Sequence, residues 1–94
     1  MTHVHFARTK GQTIETFRMV SARHNAPQDI EGLLALAAGE DENGLSVVSI
    51  WASKAHQERW AAEQLFPAFQ ALGLSGVPGD TEMTEYEAGE LYLR

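Results

Sequence analysis

The first half of the chain shows both of the periodicities that distinguish strands from helices. Alternation with a period of two predicts a strand over Thr2 to Arg8, and helical spacing after an N-cap at Thr13 predicts a helix that ends near His24. Two apolar runs follow, "GLLALAA" and "LSVVSIWA", and between them lies the hairpin signal Asn43-Gly44. These runs predict two antiparallel strands joined by the loop "GEDENG".

The second half predicts one long helix and a last strand. Ser53 is a good N-cap for a helix over about Lys54 to Leu72. The apolar stripe of this helix consists of Ala61, Leu65, Ala68, Phe69 and Leu72. Pro67 predicts a kink or a restart near Phe66, because proline lacks the N–H that the helix interior needs. After the turn-rich "GLSGVPGD", alternation predicts a strand over Thr81 to Ala88.

The resulting order, β-α-β-β-α-β, is that of a ferredoxin-like α+β fold. Right-handed crossovers place both helices on one face of a four-stranded antiparallel sheet. The two middle strands are nevertheless apolar on both sides, whereas a face exposed to water should alternate with polar residues. A second copy of the chain is the expected cover. We therefore expect residues 1–94 to form a single domain that pairs sheet to sheet as a homodimer.

Composition narrows the range of partners. The net charge is −6 and no Lys/Arg cluster occurs, so nucleic-acid binding is not expected. The absence of cysteine excludes disulfides and thiolate metal sites. No apolar run approaches the ~20 residues of a membrane helix, and the start lacks the apolar core of a signal peptide. We expect a cytoplasmic protein that binds neither nucleic acid nor membrane.

The segment from Trp51 to Phe69 carries a more specific pattern: a strand ending in Trp-x-Ser, an aromatic nine residues after the first tryptophan, then Leu-Phe-Pro. This pattern resembles the antibiotic biosynthesis monooxygenase-like (ABM) proteins of the dimeric α/β-barrel superfamily, especially short actinobacterial members of unknown function. The resemblance implies a dimeric α/β barrel. It also implies two activities to weigh, quinone-forming oxygenation without a cofactor and haem degradation.

Haem degradation is not expected from the resemblance. The haem degraders carry a helix tryptophan, a histidine ten residues later and an asparagine on the first strand. Trp60 matches the tryptophan, but Gln70 stands in place of the histidine, and Val4 or a neighbour stands in place of the asparagine. Amides are poor axial ligands of haem iron. We therefore expect no haem and name no cofactor.

The first strand supplies the candidate for proton transfer. His3 and His5 are two residues apart and share one face of the strand. If Val4 and Phe6 face the helices, both histidines face a cavity beneath the partner's sheet. His5 is the candidate proton acceptor there, and His3 a candidate contact for substrate. A metal usually needs a third protein ligand, which no motif supplies, so no metal site is predicted.

The two tryptophans are predicted to have different roles. Trp51, at the end of a strand, is interpreted as a scaffold residue that closes one end of the barrel. Trp60 lies about 120° from the centre of the helix stripe. It is therefore a candidate cavity wall, or alternatively packs against the first helix or the C-terminal tail. Gln70 and Tyr86 are further candidates for substrate contact.

The other polar residues favour structural interpretations. His24 is predicted to cap the C-terminus of the first helix, and His56 to lie on the surface of the second. The run Glu40 to Glu42 is predicted to be a solvated hairpin tip. Two functions remain open: a monooxygenase acting on a small aromatic or phenolic molecule, and a non-catalytic dimer that binds a small ligand or a partner.

Overall fold

The computed structural model describes residues 2–73 and 81–92, and the predicted order of elements is found in them. The predicted connection "GLSGVPGD" falls mainly on residues 74–80, outside the described ranges. The elements are β1 (His3–Thr9), α1 (Ile14–Ser21), β2 (Leu33–Asp41), β3 (Gly44–Trp51), α2 (Lys54–Trp60), a π-helical turn (Ala61–Leu65), α3 (Phe66–Ala71) and β4 (Thr81–Glu87). A 3-10 turn, Pro27–Asp29, precedes β2.

The four strands form one antiparallel sheet in the order β2-β3-β1-β4. Helix α1 and the α2–α3 rod lie over one face of this sheet, which we call the inner face. The opposite, uncovered face is the outer face. The predicted ferredoxin-like α+β fold is therefore confirmed. Within the described residues, no helix combines the length and the apolarity needed to cross a membrane.

The register of β1 decides which residues face the helices. His3 pairs with Trp51, and His5 pairs with Ser49, so these four side chains lie on the inner face. The condition that Val4 and Phe6 face the helices is not met, because both lie on the outer face. The histidines consequently face a space within the same chain, and not a space beneath a partner's sheet. The large Trp51 side chain is 1% exposed, and its burial beneath the helices stabilises this orientation of the strand.

The turn of the β2–β3 hairpin is shorter than the six-residue loop that the sequence predicts. Asp41 pairs with Gly44, so only Glu42 and Asn43 form the turn. Gly44 has φ 109°, and a Cβ at this position would lie 2.3 Å from the Thr9 carbonyl oxygen. Only glycine fits this close approach of the two backbones. The hairpin therefore packs directly against the end of β1.

The end of the hairpin also stabilises α1. The N–H of Ile14 donates a hydrogen bond of 2.8 Å to the Glu40 carboxylate, whereas the Thr13 side chain makes no capping bond. A carboxylate at a helix N-terminus satisfies a free N–H and is favoured by the helix dipole. Glu40 is therefore a capping residue contributed by β2, a role that the sequence did not indicate, although the run Glu40 to Glu42 is exposed at the hairpin tip as predicted.

The second helix changes its winding where the sequence predicted a restart. The π turn Ala61–Leu65 directly precedes α3, and Pro67 sits in the first turn of α3. Proline has no N–H to donate and its ring crowds the preceding turn. A wider π turn accommodates both effects without breaking the rod. The predicted restart near Phe66 is thus found, as a π turn and not as a break.

The outer face has an apolar centre, which consists of Val4, Phe6, Val48 and Ile50 on β1 and β3. Val4 is buried, whereas the other three side chains are partly exposed. At the edges of the face, Tyr86 of β4 is 55% exposed and Leu34 of β2 is 45% exposed. The face therefore has the character of a surface that packs against another body.

Candidate functional site

A cavity of about 710 Å³ lies between the inner face of the sheet and the helices. This volume is typical of a small-molecule site. Strands β1 and β3 form its floor and the helices form its roof. Its apolar wall includes Phe17, Val20, Leu33, Leu36, Leu45, Val47, Trp51, Trp60, Leu65 and Phe69. Its polar residues include His5 and Glu85 from the sheet and Lys54 and Glu58 from α2.

Trp51 forms the end of the cavity floor and belongs to the scaffold. Its indole N–H donates a buried hydrogen bond of 2.8 Å to Ser49 Oγ, one inner-face position along β3. A buried indole usually needs such a partner. The ring is therefore fixed both by packing and by its polar atom. This position agrees with the structural role expected for Trp51.

Trp60 forms part of the roof, directly above Trp51. The two ring centroids are 5.4 Å apart, and His24 contacts Trp60 edge-on with centroids 5.2 Å apart. The expectation that Trp60 turns away from the sheet is wrong. It shares a helix face with Gln57 and Ala61, which are both buried. The indole nitrogen of Trp60 is buried and has no hydrogen-bond partner among residues 2–73 and 81–92.

His24 does not cap α1, because this helix ends at Ser21. The imidazole lies in the following loop and lines the cavity next to Trp60. Its Nδ1 lies 2.9 Å from the carbonyl oxygen of Asn25, whose own N–H donates to Gln64 Oε1. These bonds tie the loop to the π turn. His24 therefore becomes a wall residue that the sequence did not indicate.

The start of α2 is fixed by a close contact with the strand before the hairpin. Ser53 Oγ accepts a hydrogen bond from the His56 N–H, which confirms the predicted N-cap. The His56 ring packs over Gly32, where φ is 83° and a Cβ would lie only 2.4 Å from His56 Cγ. His56 is thus partly buried at a structural contact and not purely a surface residue. This contact sets where α2, and with it Trp60, lies over the sheet.

His5 is the half-buried imidazole on the cavity floor. Burial lowers its pKa below the ordinary value of 6.5, and His3 adds a smaller lowering effect. Glu85, its cross-strand partner, acts in the opposite direction but does not outweigh burial. A lowered pKa keeps the imidazole neutral at pH 7. His5 can therefore accept a proton from a group in the cavity.

His3 is 2% exposed and contacts two carboxylates of β4. Its Nε2 lies 3.0 Å from Glu85 Oε1, and its Nδ1 lies 3.4 Å from Glu87 Oε1. The hydrogen bond from His3 is the main cause that lowers the pKa of Glu85, against the effect of burial. Glu85 lines the cavity, whereas His3 lies behind it and does not. His3 therefore contacts the site through Glu85.

Gln70 and Tyr86 lie away from the cavity. Gln70 is exposed on α3, and Tyr86 is exposed on the outer face of β4. The structure therefore brings His5 and Trp60 together and places His3 behind them, but it separates Gln70 and Tyr86 from them. No group of three or more His, Asp or Glu residues within the described ranges is arranged to hold a metal ion.

Glu85 is the cavity residue that the sequence analysis missed. Its strand reads "TEMTEYE", in which both alternating sets mix polar and apolar residues. Period-two alternation alone thus gives no preferred face for β4. The pairing of His5 with Glu85 becomes visible only from the register. The available signal for Glu85 was that β4 contains carboxylates that could lie opposite a histidine of a neighbouring strand.

No protein-family model matches the sequence, and a search of curated proteins finds no match. Solved structures do match over almost the whole chain. A protein of unknown function from Nitrosomonas europaea has 17% identity and a TM-score of 0.71, covering 99% of this chain and 94% of that one. A proposed antibiotic biosynthesis monooxygenase from Deinococcus radiodurans has 21% identity and a TM-score of 0.66, covering 100% and 98%.

A third match is SnoaB, a cofactor-independent oxygenase from Streptomyces nogalater. It has 19% identity and a TM-score of 0.63, covering 96% of this chain and 94% of that one. The chain has the ABM fold. At these identities the ABM fold says how the backbone is arranged, and the chemistry has to be argued from the side chains of the cavity.

Proposed function

We propose that this chain is an ABM-type monooxygenase that needs no cofactor and oxidises a small aromatic or phenolic molecule. The observation that carries the proposal is a cavity with aromatic walls and a half-buried imidazole on its floor, that of His5, whose pKa is lowered by burial. The indoles of Trp51 and Trp60 provide flat surfaces against which aromatic rings pack. The unpartnered N–H of Trp60 provides a donor for an oxygen atom of the ligand.

The overall reaction would convert a phenol and O₂ into a quinone and water. One oxygen atom enters the ring and the other leaves as water, together with the hydroxyl hydrogen and one ring hydrogen. The substrate itself supplies all four electrons, so neither a reductant nor a metal is required by the balance. His5 would accept the hydroxyl proton, because an electron-rich phenolate reacts with O₂ more readily than the phenol. The apolar walls would keep water from the reacting ring.

We propose that the protein is a homodimer whose two subunits pair through their outer faces. The support is the apolar surface that the partly exposed Phe6, Val48 and Ile50 form with the exposed Leu34 and Tyr86. A sheet that is apolar on both sides needs a cover on each. The helices cover the inner face, and a second copy would cover the outer one by an isologous contact. The site itself lies within one chain, so the partner would support the floor of the cavity from below.

A dimer that binds a ligand without turnover is the second candidate. The observation that favours it is the number of apolar and aromatic side chains in the cavity wall. Such a wall is sufficient for binding. The two candidates differ in whether His5 takes a proton from the ligand during a reaction.

An oxygen electrode distinguishes the candidates. A panel of hydroxynaphthalenes and anthrones should include a compound that consumes O₂ and forms quinone in equal amounts. His5→Gln should lower this rate by about a hundredfold or more, the usual contribution of general-base catalysis. Glu42→Gln is the control, since it introduces the same side chain at an exposed hairpin position outside the cavity. Binding of the compounds without O₂ uptake would overturn the oxygenase proposal and leave the binding dimer.

A further inference from the structure

The polar edge of the cavity is formed by an ordered series of side chains on β1 and β4. His5 lies directly opposite Glu85, and both line the cavity. Directly opposite residues of an antiparallel pair lie close enough for their side chains to interact. Behind them, the buried Nε2 of His3 lies 3.0 Å from Glu85 Oε1. The Glu85 carboxylate is therefore held in place from behind while it faces both the cavity and His5.

The other charged groups near this edge make it net negative. Glu87 contacts the second nitrogen of His3 at 3.4 Å. Across the cavity, α2 contributes Lys54 and Glu58, whose Nζ and Oε1 lie 3.9 Å apart. Glu85, Glu87 and Glu58 contribute three carboxylates, against the one ammonium group of Lys54. An anionic ligand would therefore meet repulsion at this edge, whereas a neutral hydroxyl group would meet acceptors.

We propose that Glu85, positioned by His3, determines specificity at this site: its carboxylate favours neutral hydroxyarenes, excludes aromatic carboxylates and stabilises His5 when that imidazole takes up a proton. The proposal rests on the proposed function, because it concerns the same cavity and the same proton acceptor. In this proposal Glu85 contacts the polar end of the ligand, and His3 acts only by positioning Glu85.

The charge balance of the proton transfer explains why the carboxylate matters. When the hydroxyl proton moves to His5, the ligand becomes an anion and the imidazole becomes a cation. A fixed carboxylate next to the cation lowers the free energy of this state, as the carboxylate does in a Ser-His-Asp triad. If the carboxylate rotated freely, part of this stabilisation would be lost to its reorientation. The hydrogen bond from His3 prevents that rotation.

The first test measures binding and does not depend on turnover. Naphthol and naphthoate share a ring system and differ in carrying a hydroxyl or a carboxylate. Isothermal titration calorimetry under argon, which excludes O₂, should show that the wild type binds naphthol at least about tenfold more tightly than naphthoate. Glu85→Gln should reduce this preference by about tenfold, because it removes the repelling charge and keeps the side-chain shape.

Glu87→Gln is the matched control for this measurement. Glu87 lies on the same strand and contacts the same imidazole, but it does not line the cavity. It should leave the preference for naphthol within about twofold of the wild type, as expected for an exposed charge. An equal effect of the two substitutions would overturn the assignment of Glu85, since the preference would then reflect overall charge.

A second test addresses the positioning role of His3 by NMR. Glutamine can place an N–H donor where His3 has Nε2, whereas leucine cannot. His3→Leu should therefore raise the pKa of the Glu85 carboxyl, followed through its carboxyl carbon, and His3→Gln should restore it. In Glu85→Gln the pKa of His5 should fall further, because the carboxylate that opposes the lowering is gone. If His3→Leu does not fold, His3→Met takes its place, because methionine also lacks a hydrogen-bond donor.

The outcomes separate this inference from the proposed function. A preference for naphthol that Glu85→Gln abolishes supports the inference even if no O₂ is consumed. Equal binding of naphthol and naphthoate, or no binding of either, overturns it. An unchanged pKa of His5 in Glu85→Gln overturns the claimed coupling even if the oxygenase activity is found.

Discussion

The two faces of the sheet carry different kinds of side chains. The inner face places His5, Ser49, Glu85 and Trp51 beneath the helices, where they line a cavity. The outer face carries the buried Val4 and the partly exposed Phe6, Val48 and Ile50. In most two-layer folds the more apolar face is the one beneath the helices. Here the inner face gives up part of its packing to the cavity, and the outer face retains an apolar surface.

Ile50 and Trp51 are consecutive residues that face opposite sides of the sheet, so substituting each of them probes one face at a time. Trp51→Ala should lower the free energy of unfolding by ~3–5 kcal/mol, since it empties a buried aromatic site and leaves Ser49 without its indole partner. Urea denaturation followed by circular dichroism measures the change. A cost near that of an ordinary surface substitution would mean that Trp51 is not a scaffold residue.

Ile50→Glu should act on the outer face alone. A charge in the centre of a subunit contact should weaken the dimer by about 2–3 kcal/mol, or about a hundredfold in dissociation constant. Light scattering coupled to size exclusion should show the chain mass of 10.4 kDa for the variant and twice that mass for the wild type. Ala62→Glu, at an exposed helix position, is the control. A wild type that elutes as a folded monomer would contradict the proposed pairing.

The element order, the Ser53 cap and the restart near Phe66 were all predictable, because caps, hairpin glycines and proline act locally. The faces of β1 and β4 were not. Val4 and Phe6 alternate with His3 and His5, and apolar residues were assigned to the helix side by the usual rule. That rule fails where a cavity, and not solid packing, lies beneath the helices. The position of Glu85 depends on a cross-strand register that no local pattern in β4 specifies.

The position of Trp60 was missed for a related reason. The apolar stripe of the long helix begins at Ala61 in the sequence, although Gln57 and Trp60 extend the same face by a turn. A buried glutamine in that stripe hides the continuity. The contacts of His24 with Trp60, and of Glu40 with α1, join segments far apart in the chain. Such contacts follow from the packing of whole elements and have no signature in the sequence.

Trp60→Ala should sharpen the distinction between scaffold and site within the inner layer. Because one side of Trp60 borders the cavity, the substitution should cost only ~1–2 kcal/mol of stability, within the ordinary range for point mutations. Binding of naphthol, measured by calorimetry, should weaken more than stability does. Trp60→Phe should keep much of the affinity by preserving an aromatic ring. A larger loss of stability for Trp60→Ala than for Trp51→Ala would reverse the two roles.

The smallest expected effect is a dependence of stability on pH that belongs to the inner face. The folded-state pKa of His5 lies below 6.5, so the unfolded chain binds more protons as the pH falls below 6.5. The free energy of unfolding should therefore decrease from about pH 6.5 downward until the folded-state pKa is reached. Glu85, whose pKa is lowered from 4.5, should add a second decrease in the same direction below pH 4.5.

Urea melts at a series of pH values separate these two windows. His5→Gln should remove the decrease that begins near pH 6.5 and leave the one below pH 4.5. If the decrease that begins near pH 6.5 persists in His5→Gln, a residue other than His5 causes it. The same melts of Ile50→Glu should show both windows unchanged in position, because the outer face carries neither group.

The π turn at Ala61–Leu65 allows the roof of the cavity to absorb a change in chain length without disturbing the sheet. A π turn holds about one residue more than an α-helix would use over the same stretch. Deleting one residue there would restore regular winding and keep α2 and α3 in the same relative orientation. Trp60 would stay in the roof, and every strand would keep its register. The wall that the ligand touches therefore tolerates the loss of one residue at this turn.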